Sequence, residues 1–140
     1  MTNITGEKLS VDQAIESVQY AGRQTDTIPL HFKVEADFDK SRYILRAEFF
    51  EHISEEKGRT FLMSFDECLK YVNIEYKSKR DSTRLVSPVL HVMRKGWHEY
   101  IQKQLAKSGR RAFQTKAQIL SPVKLDAIEI NSWLVRVIEM

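Results

Sequence analysis

Residues 121–140, SPVKLDAIEINSWLVRVIEM, fit two templates, and the choice decides whether the chain closes in strands or in a helix. Their β-branched residues suit strands. Placed on a helix, Glu129, Ser132, Arg136 and Glu139 share a polar edge opposite Ala127, Ile130, Trp133, Leu134, Val137 and Ile138. Placed on strands, Glu129 shares a face with Trp133 and Val137, while Arg136 joins Ile130 and Ile138. The helix separates charge from oil better. Its β-branched content costs roughly tenths of a kcal/mol per residue, less than burying one unpaired charge. The spacing therefore predicts a C-terminal helix over about 122–139, entered through Ser121 and Pro122.

The same Ser-Pro signal at Ser87 and Pro88 predicts a long helix over about 88–108, closed by Gly109. Val86, Leu90, Met93, Trp97, Tyr100 and Ile101 would form its apolar stripe. Another helix is predicted near the start: Ser10 and Gln13 have capping-box spacing, Ala14, Ile15, Val18 and Ala21 make a stripe, and Gly22 marks the end.

Between these helices the period changes. Ile28, Leu30, Phe32, Val34, Ala36 and Phe38 alternate with His31, Lys33, Glu35 and Asp37, the signature of a strand. RYILRAEFFEH and TFLMSF follow as further strands of an antiparallel meander, separated by the polar SEEKGR. Residues 65–76 match both a helix, through Phe65, Cys68, Leu69, Val72 and Tyr76, and a resumed strand; the helix is preferred. KSKRDSTR is a basic linker, and Phe113, Thr115, Ala117 and Ile119 alternate in a short extended stretch. The fold class is α+β, with an antiparallel sheet of three to four strands and three to four helices. In the second strand Ile44 and Phe50 fall on the face opposite Tyr43, Leu45, Ala47 and Phe49, and Leu62 can join them. Such oil on a second face needs cover.

The 140 residues suit a single domain, and 42% hydrophobic with 29% charged residues indicates an ordinary globular chain. Cys68 is the only cysteine, so an internal disulfide and a Cys-rich zinc site are excluded and a reducing cytoplasm is expected. No secretory leader or membrane span is read. The net charge of +3 is uneven: residues 70–116 carry twelve Lys or Arg against three acids, residues 1–69 eight against thirteen. That asymmetry suits an anionic partner, self-association or merely a solvated surface.

No motif commits the chain to catalysis, a cofactor or a metal. His91 and His98, seven apart on the predicted helix, would stand about 10 Å apart, too far to share one zinc. Glu35, Asp37 and Asp39 are a possible acid row without a partnered histidine or nucleophile. Cys68, beside Asp66 and Glu67, reads as structural. Lys77, Lys79, Arg80, Arg84, Arg110 and Arg111 form a candidate anion or nucleic-acid contact, with Phe113 available for stacking.

Leu120, Pro122, Val123, Leu125, Asp126 and Ala127 resemble the segment entering the last helix of SecB-like export chaperones, and the element order over residues 28–139 is similar. The chain's basic charge, its initial helix and the absence of the family's turn after the long helix depart from that pattern. The resemblance implies a non-enzymatic chaperone, a dimer of dimers, holding extended polypeptides in apolar grooves. The expected function is thus a protein-binding or chaperone-like module, associating with a polypeptide or with itself as homodimer or tetramer. Ile44, Phe50 and Leu62 are its candidate contacts. Nucleic-acid binding through the basic segment and binding of a small ligand are the alternatives.

Overall fold

The computed structural model describes residues 4–107 and 132–140. Its elements are α1 Val11–Thr25, β1 Pro29–Asp37, β2 Arg42–Phe49, α2 Glu55–Val72, α3 Ile74–Asp81, β3 Val89–Met93, α4 Trp97–Lys107 and β4 Leu134–Glu139. The strands form one sheet in the order β1-β2-β3-β4. β1–β2 and β3–β4 are antiparallel, while β2 and β3 run parallel. The α+β class holds; the sheet is mixed.

Ser10 starts α1 with the reciprocal capping box read in the sequence: its hydroxyl accepts from Gln13 N–H, and the Gln13 side chain accepts from Ser10 N–H. The helix passes Gly22 and ends at Asp26, whose left-handed backbone (φ 52°) closes it. The alternation of β1 and β2 then places Val34, Tyr43, Leu45, Ala47 and Phe49 beneath α1 and α2, where they pack with Phe61, Leu62, Phe65 and Leu69. Fully burying each such side chain contributes about 1.5–3 kcal/mol.

Three expected elements take other forms. TFLMSF is the middle of α2, not a strand, because Phe61, Leu62, Phe65, Cys68 and Leu69 recur at helical spacing and are all buried. Ser54 caps α2, accepting from Lys57 N–H, and Gly58 lies inside the helix. A Cβ at Gly58 would collide with Ile138 Cδ1, so this glycine lets α2 cross β4 closely. α2 and α3 form the long connection that parallel strands require.

The long helix predicted over 88–108 is split. Val89–Met93 is a strand, with four of its five residues buried, and only Trp97–Lys107 is helical. VLHVM is a nearly continuous apolar run because a central parallel strand is covered on both faces. Pro88 precedes the strand, where its missing N–H interrupts no ladder.

The helix predicted over 122–139 is also corrected. Leu134–Glu139 is an edge strand of alternating burial, while residues 122–131 lie outside the described residues. The charge penalty that favoured a helix does not arise there: Glu139 is exposed and stands 3.7 Å from Arg42 Nη1.

Candidate functional site

The sheet face turned away from α1 and α2 carries charge. Lys33 Nζ and Arg46 Nε stand 3.2 and 3.1 Å from Glu35 Oε1, and Arg46 Nη1 is 3.0 Å from His91 Nδ1. Burial works to raise the Glu35 pKa, but Arg46 and then Lys33 outweigh it and hold the carboxyl below its ordinary range. Burial, reinforced by the Arg46 charge, pushes His91 down to about 4. Asp37 pairs with Arg42 at 3.5 Å. The acid row read along β1 is therefore engaged in ion pairs, with Asp39 exposed in the following turn. This face is an internally neutralised network.

The sheet end where β2 and β3 finish has a different character. Parallel neighbours deliver their exit loops side by side, the place where open sheets commonly take ligands. Beyond β2 come Phe50, Glu51 and His52; beyond β3 come Arg94, Lys95 and Gly96. Two adjoining hollows, of about 220 and 280 Å³, share Phe49, Glu51 and His52. Lys57 lines the smaller, and Arg94, Lys95 and Arg136 line the larger. Lys95 Nζ lies 5.1 Å from the Phe50 ring centroid, a cation–π distance. Lys57, Arg94, Lys95 and Arg136 therefore outnumber the two acids of the lining, Asp26 and Glu51.

Among the predicted contact residues, only Phe50 reaches this end, with half of its surface exposed. Ile44 is half-buried near the other end of β2, opposite Glu35 and Val89. Leu62 is fully buried in the core on α2. The three do not form one surface.

The predicted anion contacts are dispersed in a comparable way. Arg80 grips buried Asp66 through two bonds of 3.0 and 2.8 Å, an anchor that Tyr76 O–H joins. That pairing raises the Arg80 pKa, while burial followed by Asp66 drives Tyr76 upward. Lys77 pairs with Asp81 at 2.9 Å on exposed α3. Lys79 is half-buried on the same helix, Arg84 is exposed after it, and Arg110 and Arg111, like Phe113, lie outside the described residues.

His91 and His98, which helical spacing over 88–108 would place on one helix, belong to β3 and α4. The His98 ring stacks on His31 with centroids 3.9 Å apart, and its backbone N–H donates to Glu48 at 3.2 Å. Among the described residues, no three His, Cys, Asp or Glu side chains converge as a metal site. Cys68 is buried. No described helix is long and apolar enough to cross a membrane. The cationic mouth is hidden by local spacing, which places Arg94 and Lys95 on a helix, whereas they follow β3. Its available signal was the apolar run VLHVM followed by the charged RKG.

Comparison with known proteins gives this geometry a context. The model of the GH3 family C-terminal domain matches residues 9–124. A solved GH3.15 acyl acid amido synthetase superposes with a TM-score of 0.79 at 13% identity, covering 99% of this chain and 27% of that one. The structure titled AtGH3.15 acyl acid amido synthetase in complex with 2,4-DB gives 0.73 at 13% identity, covering 91% and 24%. The chain spans about a quarter of the length of these solved synthetases. No curated protein matches at a significant level. These findings overturn the resemblance to SecB-like chaperones and the reading of a non-enzymatic, chaperone-like module. Residues 120–127, which carried that resemblance, lie outside the described residues, and the meander supporting it contains a helix in place of its third strand.

Proposed function

We propose, from the premise that the chain belongs to the GH3 C-terminal domain family, that it works as the C-terminal domain of a cytoplasmic enzyme forming amides from acyl acids. The family match over residues 9–124 carries this reading. The likeness in fold to a solved amido synthetase supports it.

The chemistry suits the mouth beyond β2 and β3. An acyl acid is an anion at neutral pH, and its carboxylate is a poor electrophile until one oxygen attacks a phosphorus of a nucleoside triphosphate, expelling phosphate or pyrophosphate and becoming part of a leaving group. An amine then displaces that group, forming the carbon–nitrogen bond and losing a proton. Arg94, Lys95 and Arg136 supply positive charge suited to holding an anionic acid and offsetting charge on its departing group. Phe50 offers an apolar surface beside them. On this reading the domain provides one wall of the site, and the rest of the enzyme completes it.

The test is product formation by the enzyme that contains this chain. It is incubated with a panel of carboxylic acids, amino acids and a nucleoside triphosphate, and the products are analysed by mass spectrometry. An amide whose formation requires all three components is expected. Consumption of the nucleotide without amide, or no reaction across the panel, would overturn the reading.

A further inference from the structure

We infer that Trp133 is a positioning residue for the cationic mouth, an inference that rests on the proposed amide-forming role. The turn carrying Arg94 and Lys95 has no regular structure of its own between β3 and α4. Trp133 holds it through two contacts. Its backbone carbonyl accepts the Arg94 N–H at 2.7 Å, a short bond joining the exit of β3 to the entry of β4. Its indole ring closes over Gly96: a Cβ there would lie 3.3 Å from Cζ3, tighter than a side chain accepts without displacing the ring.

Gly96 also has φ +96°, a conformation that L side chains rarely adopt. Glycine is thus required twice over, by backbone and by ring. The indole also packs against Tyr100 in the first turn of α4, the two ring centroids 5.3 Å apart. Within the same turn, Lys95 meets the Phe50 ring. The turn is consequently tied to two aromatic residues at other strands' ends, Arg94 and Gly96 to Trp133 and Lys95 to Phe50. Trp133 need not touch the acid to fix where these charges stand.

The division of labour is testable because the backbone bond survives any side-chain change at position 133, whereas the ring contact does not. W133A removes the packing on Gly96 and Tyr100; W133F keeps an aromatic ring there. In the intact enzyme, W133A should raise KM for the acyl acid roughly 10-fold, the worth of one charge-assisted hydrogen bond, with kcat changed much less. W133F should restore most of that loss. In the NMR spectrum, W133A should also abolish the ring-current shift that Phe50 imposes on the Lys95 side chain.

W133A with wild-type KM and an unchanged Lys95 shift overturns the inference. Equal loss of kcat and melting temperature in both variants, with KM unaltered, overturns it too, because that is the pattern of a purely structural residue. A wild-type enzyme that makes no amide removes the functional reading; the Lys95 shift, which needs no turnover, still tests whether Trp133 positions the turn, so the two failures are distinguishable.

Discussion

Arg46 Nη1 lies 3.0 Å from His91 Nδ1 across the parallel pair of β2 and β3. A guanidinium has only donors to offer, so His91 Nδ1 accepts and the proton of the neutral ring sits on Nε2. At neutral pH, NMR should find the Nε2–H tautomer, with titration displaced from 6.5 to about 4. A His91 titrating near its ordinary value would contradict the arrangement.

The depressed pKa fixes a sign for stability. Above pH 6.5 both folded and unfolded chains hold His91 neutral. Between that value and about 4 only the unfolded chain gains the proton, so stability falls as the solution is acidified. His98 adds in the same direction, since burial and then the neighbouring His31 lower its pKa. The urea midpoint should drop between pH 7 and pH 4.5, and H91Q should flatten part of that fall.

Leu62 and Phe50 separate core from surface. L62A should destabilise the chain by about 2–5 kcal/mol, the cost of a cavity in a core that cannot fully collapse. F50A should stay within about 0.5 kcal/mol of wild type, as surface changes do. Urea titrations of the two variants compare these values directly.

The basic residues after α2 divide similarly. R80A leaves buried Asp66 with only Tyr76 O–H and Lys70, whose Nζ is 3.7 Å away, and should cost about 1–3 kcal/mol. K77A removes an exposed pair with Asp81 and should cost at most about 1 kcal/mol. Equal midpoints for the two variants would rule out an anchoring role for Arg80.

At Gly58 the close passage of β4 sets the outcome. Alanine there requires movement of only the tip of Ile138 and gains helix propensity. G58L drives a whole side chain toward Ile138 and Leu90 and should cost about 1–3 kcal/mol by overpacking. Thermal unfolding of both variants reads the difference.

The elements legible in the sequence are those specified by nearby residues. Ser10 and Gln13 announce α1, and alternation from Leu30 to Asp37 announces β1. The misread elements depend on remote neighbours. Gly58 resembles a turn glycine until β4 is placed against it, and Pro88 resembles a helix start until β2 is placed beside Val89. For residues 134–139, the helix template wins only if the charges must otherwise be buried; an edge strand leaves Glu139 in water. Alternation marks Phe50 as a side chain that needs cover, but helical spacing over 88–108 hides its neighbours Arg94 and Lys95. The mouth arises from two loops more than forty residues apart in the chain, a juxtaposition no local pattern encodes.

The most direct measurement is kcat/KM for an acyl acid in amide synthesis, comparing the enzyme carrying R94A/K95A with its unsubstituted form. A loss of about 10- to 100-fold, corresponding to one or more charge-assisted contacts, is expected at an unchanged melting temperature. Equal kcat/KM in the two proteins would contradict the placement of the acid at the ends of β2 and β3.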